Sequence, residues 1–319
     1  MNSVFVSALI NHYARLRQFI FFKKIIYETK KERMKKAISK IWFVAMCAIA
    51  VVACEDDEKP HFSVQIKEDV NLGKILTDKN GFTLYFFSYD TKGTSTCSGS
   101  CQIAWPVFYH ADLTVSEGLD VSDFTTFEHA DGTLQTVYKG FPLYYYFEDK
   151  RSGDTKGENV GEVWYVAKPD YSLFYERTQL VGHNANSYIA NYALTPYQVG
   201  EGETSYLTDA AGRTLYAFIN DKNGINNFGG NVAVWPAFHA DMSTLVVPSI
   251  FNREDFAEIT KNGVAQITYK GWPLYYFGGN AGANPPVAGD VNPGDTRGIS
   301  FPSPGTFPIA NTLTIVAPN

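Results

Sequence analysis

Three sets of residues in this chain have types and spacings that could do chemistry. His110-Ala-Asp112 and His239-Ala-Asp241 each follow a Trp-Pro pair, so an imidazole and a carboxylate stand two positions apart in two places. Residues i and i+2 of an extended strand share a side, where such groups could share a metal ion or hold a proton between them. One His and one Asp do not complete a metal site, and a turn in which the Asp caps the backbone beside an exposed His gives the same pattern. The second set is Cys97 and Cys101 in "STCSGSCQIAWP". Two cysteines this close, with Gly99 between them to ease the turn, form a local disulfide in an oxidising compartment. No His follows Cys101, which excludes haem attachment, and zinc would need further ligands nearby. The third set is tyrosines: "VYKGFPLYYYFED" from Val137 and "TYKGWPLYYFGG" from Thr268 are nearly one phrase written twice.

That duplication extends along the chain. "LTDKNGFTLYFF" from Leu76 returns as "LTDAAGRTLYAF" from Leu207, 131 residues later, and "WPVFYHAD" at Trp105 returns as "WPAFHAD" at Trp235. "GDTKG" at Gly153 returns as "GDTRG" at Gly294, so ten residues are added around "NAGANPPVAGDVN". Repeats of this kind imply homologous units. A fainter echo lies inside each: "GFTLYFFSYD" and "GFPLYYYFED" match at Tyr85 and Tyr144 and at Asp90 and Asp149. The chain therefore holds four copies of one short motif, two per unit.

The copies read Tyr85-x-Phe87-x-x-Asp90, Tyr144-x-Tyr146-x-x-Asp149 and Tyr216-x-Phe218-x-x-Asp221, while the fourth, Tyr275-x-Phe277-x-x-Asn280, lacks the acid. This pattern resembles the bacterial lipoprotein repeat with a Tyr-x-(Phe/Trp/Tyr)-x-x-Asp motif. The resemblance covers nearly all of the chain after residue 61. It implies a secreted protein of unknown biochemical function and supplies no reaction.

The elements that must position these residues read as β-strands. Short runs rich in aromatic and β-branched residues are broken by Lys-Gly and Asn-Gly, the hairpin signals. Alternation in "TLYFF" puts Leu84 and Phe86 on one face and Tyr85 and Phe87 on the other. Each buried phenol then needs a partner, and the Asp three residues past the second aromatic can accept that bond or cap its own turn. The expected fold is mainly β: two homologous antiparallel β domains, each a sandwich or partly closed barrel, at 62–180 and 181–319. The join from Tyr171 to Tyr197 contains "YSLFY", which suggests packing. Asp78 to Gly81 and Asp221 to Gly224 lack the twelve-residue calcium ladder and read as turns.

Before the repeats, "MKKAISK" from Met34 leads into the apolar run Ile41 to Ala53 and then Cys54. A basic start, an apolar stretch and small residues are the layout of a secretory signal, and the run is shorter than the about 20 residues of a spanning helix. Val51-Val52-Ala53-Cys54 resembles a lipoprotein lipobox, which implies cleavage before Cys54 and lipid on its sulfur. Residues 1–33 would make the signal too long and read as an extension from an initiation codon assigned too early; 34–53 is the signal, and 54–61 an acidic tether. The tether resembles surface-export signals of lipoproteins in Bacteroides-like bacteria, although a solvated spacer gives the same sequence.

The leader through Ala53 holds ten of the 27 Lys and Arg and two of the 33 Asp and Glu, so the rest carries 17 basic and 31 acidic residues, net −14. Nucleic acid is therefore a poor partner for the body. With no Gly-x-Ser-x-Gly elbow and no phosphate-binding loop, no catalytic constellation and no cofactor are expected. Two readings stand. One is a lipid-anchored, non-catalytic envelope module, at the periplasmic or cell-surface face of an outer membrane, that binds a glycan, small molecule or envelope protein. The other is a redox or metal-handling accessory protein that uses layered tyrosines and the His-x-Asp pairs.

Overall fold

The computed structural model describes residues 23, 24, 27–31, 62–189 and 197–319. The expected signal 34–53, Cys54 and the tether lie outside the described residues, as does the 1–33 extension apart from a few exposed helical positions. Residues 61–319 form one compact unit. It is mainly β, built from small antiparallel sheets, none of them closed.

The first half opens on a hairpin of β1 (Val64–Asp69) and β2 (Gly73–Asp78), with Val64 opposite Asp78. Asp69 caps its turn by accepting from the backbone N–H groups of Asn71 and Leu72 at 2.8 and 2.9 Å. Asp78 does the same for Asn80 and Phe82, which reverses the chain into β3 (Tyr85–Phe87). A one-turn helix, α1 (Ser100–Ala104), precedes the Trp-Pro pair. There follows a meander of β4 (Phe124–Glu128), β5 (Leu134–Tyr138) and β6 (Phe141–Pro142). Lys139 and Gly140 link β5 to β6 with φ of 47° and 87°, the paired positive φ of a type I′ turn whose twist matches its strands. Last comes β7 (Trp164–Val166), antiparallel to β3.

The second half repeats this plan. β8 (Leu173–Val181) is followed by a short excursion containing β9 (Ser187–Ile189) and β10 (Gln198–Val199), and then by β11 (Glu203–Asp209). β8 and β11 pair from Leu173 opposite Asp209 to Gln179 opposite Glu203, the counterpart of β1 with β2. Next come β12 (Tyr216–Ala217), β13 (Phe256–Lys261), β14 (Val264–Tyr269) and β15 (Trp272–Tyr275). Lys270 and Gly271 repeat the type I′ turn at φ 49° and 81°. The added residues form the hairpin β16 (Gly279–Asn280) and β17 (Val287–Ala288). Ile309 bridges Tyr216 where Val166 pairs with Tyr85.

The second half thus begins at the strand Leu173–Val181, and the boundary expected between 180 and 181 falls within it. The reason is local: where the first half has the tight turn Val70–Leu72, the second carries residues 182–202, so β8 stands apart from its partner in sequence and reads as a join. The two halves share a core. Phe86 packs on Phe141, Tyr165, Tyr171 and Phe174 with ring centroids 5.1 to 5.9 Å apart, and the same cluster includes Leu207, Leu215, Ile267 and Leu274. Backbone bonds cross as well, from Arg177 N–H to Ser88 O at 2.8 Å and from Ser172 N–H to Val246 O at 2.9 Å. A fragment of residues 181–319 should therefore give no cooperative thermal transition by circular dichroism, whereas one starting at residue 171 should recover β-sheet signal; cooperative melting of the shorter piece would show that β8 is dispensable.

Candidate functional site

Four motif copies make two crossed locks. In the first half, Tyr85 and Tyr144 lie side by side in antiparallel register and exchange both backbone hydrogen bonds, each 2.9 Å. Their side chains then reach past each other. The Tyr85 hydroxyl donates to Asp149 Oδ2 at 2.6 Å, and the Tyr144 hydroxyl donates to Asp90 Oδ2. Each copy's tyrosine is answered by the other copy's aspartate. The free oxygen of each carboxylate ties a loop of its own copy: Asp149 Oδ1 accepts from Lys156 N–H at 3.0 Å, and Asp90 Oδ1 accepts from the Thr96 N–H and hydroxyl at 2.6 and 2.7 Å.

The second half repeats the lock. Tyr275 donates to Asp221 Oδ2 at 2.8 Å, and Asp221 Oδ1 accepts from Asn227 N–H at 2.7 Å. Tyr216 donates to Asp290 Oδ2 at 2.5 Å, and Asp290 Oδ1 accepts from Arg297 N–H at 2.8 Å. The fourth copy, read from sequence as lacking its acid at Asn280, has it at Asp290. The hairpin β16–β17 is inserted between Phe277 and the carboxylate and carries it away from the motif spacing. The signal was present: Asp290 follows Asp149 by 141 residues, the offset that links the two "GDT" segments.

Burial sets the electrostatics. Asp90 and Asp221 are 0 % exposed, and a carboxylate out of water is costly unless it is hydrogen-bonded. Burial pushes Asp90 and Asp221 up to about 6 and Asp290 up to about 7, against the lowering pull of the phenol and backbone donors; Asp149 is raised as well. The four phenols are pushed up by burial and, after it, by their facing carboxylates.

The second aromatic of each copy has a different task. Trp105 of the first Trp-Pro pair stacks on Tyr146 at 4.2 Å and on Trp164 at 3.8 Å, and Trp164 stacks on Phe87 at 4.1 Å. In the second half the order is Phe277, Trp235, Phe307 and Phe218, with Trp235 and Phe307 3.5 Å apart. The motif rings thus form the outer members of two four-ring columns. Trp164 and Phe307 escaped the sequence reading because one is an indole and the other a phenyl; their shared place beside Val166 and Ile309 is the signal. Gly157 and Gly298, which end the two "GDT" segments, admit no Cβ: it would lie 2.7 Å from the Tyr85 ring and 2.8 Å from the Tyr216 ring.

The remaining sequence candidates are peripheral. Cys97 and Cys101 form a disulfide with Cα atoms 5.4 Å apart, pinning α1 just before Trp105. Asp112, His239 and Asp241 are exposed and His110 is half-buried. Asp241 caps its own turn by accepting from the Ser243 N–H and hydroxyl at 2.8 and 2.7 Å. Among the described residues, no group of three or more His, Cys, Asp or Glu could hold a metal ion, and no helix is long and apolar enough to cross a membrane.

Paired copies, crossed tyrosine–aspartate locks and aromatic columns define a β-repeat protein in which the motif is architectural. Residues 69–109 and 125–168, both in the first half, match the model of a lipoprotein family described as a secreted repeat of unknown function. No curated protein and no solved structure matches the chain significantly.

Replacing Tyr216 with Phe leaves Oδ2 of the buried Asp290 without its phenol donor and should cost about 1–3 kcal/mol, whereas Asn280→Ala should stay within about 0.5 kcal/mol; chemical denaturation measures both, and equal losses would restore Asn280 to the lock. The raised aspartates also set a pH trend. Between the ordinary 3.8 and about 7 the folded protein binds more protons than the unfolded chain, so their contribution to stability is full at the acid end and falls as pH rises through this window. Melting temperature should therefore drop from pH 5 to pH 8, with a shallower slope in Asp290→Asn.

Proposed function

We propose that the mature protein is held at the cell envelope by lipid on Cys54 and that its repeat body is a non-catalytic module that binds a glycan, small molecule or envelope partner. One observation carries the reading of the body. All four motif tyrosines are at most 1 % exposed, and each is satisfied by a buried carboxylate, so the motif is taken up by the fold and recognition falls to the clefts between loops. One such cleft, about 430 Å³, lies where the halves meet and includes Phe141, Glu176 and Pro293. Another, about 550 Å³, is rich in threonines beside His183 and Arg297. Volumes of this order suit small ligands. The anchor rests on the basic start, the apolar run and the small residues before Cys54, and the match to a secreted family supports an address outside the cytoplasm.

A redox role has one observation in its favour. The Trp105–Trp164 stack has Tyr85 edge-on to Trp105 at 5.5 Å and Tyr144 edge-on to Trp164 at 5.1 Å, each phenol facing a carboxylate that could take its proton. Absorbance during titration with a one-electron oxidant separates the readings, because only a relay yields a reversible tyrosyl or tryptophanyl signal.

Cys54→Ser should leave the protein unlipidated and in the soluble fraction; retention at the membrane with unchanged mass would end the lipoprotein assignment. That soluble variant, screened on an array of envelope glycans and small organic acids, should retain at least one class, and a blank array would refute the binding reading.

A further inference from the structure

We infer that the second half carries a binding site for a ring-borne carboxylate, a uronic acid or an aryl carboxylate, in the cleft bounded by Arg213, Lys261 and His239. The inference rests on the binding-module reading above. The cleft holds about 710 Å³, and no Asp or Glu lines it, although acids outnumber bases in the chain. Its two permanent cations are held in place. The Arg213 guanidinium lies 4.1 Å over the Tyr276 ring, gripped by Asp209 through Nε and Nη2 and bonded to the Tyr276 hydroxyl at 3.0 Å. Among the described residues its Nη1 has no partner. Lys261 Nζ donates to Asn226 Oδ1 at 2.7 Å and to Phe228 O at 2.5 Å. Both acceptors are neutral, and an ammonium has three N–H groups, so one remains for a ligand.

The first half serves as an internal control. At the 131-residue offset Arg213 replaces Phe82, Gln266 keeps Gln135 and Tyr276 keeps Tyr145, while in strand register Lys261, opposite Val264, takes the place of His129, whose N–H bonds Thr133 O. The conserved-by-position amide does the same work in both: Gln135 and Gln266 each donate to a leucine carbonyl, Leu143 and Leu274, at 2.9 and 2.8 Å. The scaffold is therefore common; Arg213 is an addition of the second half, and there an always-charged ammonium stands in place of the His129 imidazole that bonds Gln135 Oε1 at 2.8 Å. The roof changes too. Where the first half has the disulfide-pinned α1, the second has Gly229 and Gly230, which line the cleft without side chains. Val232 and Val264, 73 % and 49 % exposed, stand beside the opening and give an apolar contact for a ring, while the cations take its carboxylate.

Calorimetry of the soluble Cys54→Ser protein with digalacturonate and with benzoate distinguishes the two sources of this chemistry, with galactobiose as the uncharged control. At least one acid should bind saturably and galactobiose should not. Lys261→Ala should weaken binding by about tenfold, as expected of one charge-assisted contact, and Lys261→Arg should recover most of it, which separates lost charge from lost folding. Failure of both acids to bind, binding indifferent to Lys261→Ala, or equal binding of galactobiose overturns the site. The binding-module reading falls only if the wider array is blank as well.

Discussion

A phenol donating to a buried carboxylate across a pair of antiparallel strands is the interaction on which this fold depends. The carboxylate is costly to bury alone, and two donors offset that cost: the tyrosine of the opposite copy and a backbone N–H six or seven residues further along its own chain. One side chain therefore joins two strands and closes a loop. The closed loops bring the Trp-Pro tryptophans and the ring strands into the columns, and the glycines at 157 and 298 let the backbone pass against the tyrosine rings. Packing, turn closure and burial of charge are thus solved together at each lock.

Much of this was legible in residue order. Alternation in "TLYFF" correctly separated Phe86, which packs toward the core shared by the halves, from Tyr85 and Phe87. The Lys-Gly hairpins, the four copies and the Cys97–Cys101 bond were likewise readable, because each depends on contacts local in sequence. The crossing of the locks was not. Alternation tells which face a tyrosine occupies and says nothing of which carboxylate arrives there from 64 or 74 residues away. Asp290 was hidden by an insertion that broke the motif spacing, and β8 by an excursion that separated it from β11. In both cases geometry was retained while spacing changed.

The two halves also show how far one scaffold can be altered around a fixed lock. The first stabilises the approach to its tryptophan with a disulfide, and the second replaces that turn with a glycine pair and opens a cleft. Variation gathers in the loops above the columns, while the tyrosines, aspartates and glycines of the lock recur. Loops on a rigid base are where recognition commonly resides, which is why Arg213 stands out against Phe82 and Lys261 against His129.

Reciprocity has a consequence for how such chains can grow. A lone copy has a phenol with no acceptor and an acid with no phenol, so it presents two unmet polar groups in an otherwise apolar setting. Only an even number of copies leaves nothing over. Lengthening or shortening by recombination is thereby restricted to steps of two, and a break between the members of a pair yields two halves that are complementary to each other: the makings of a split protein that reassembles, or of an exchange in which one chain lends a copy to its neighbour.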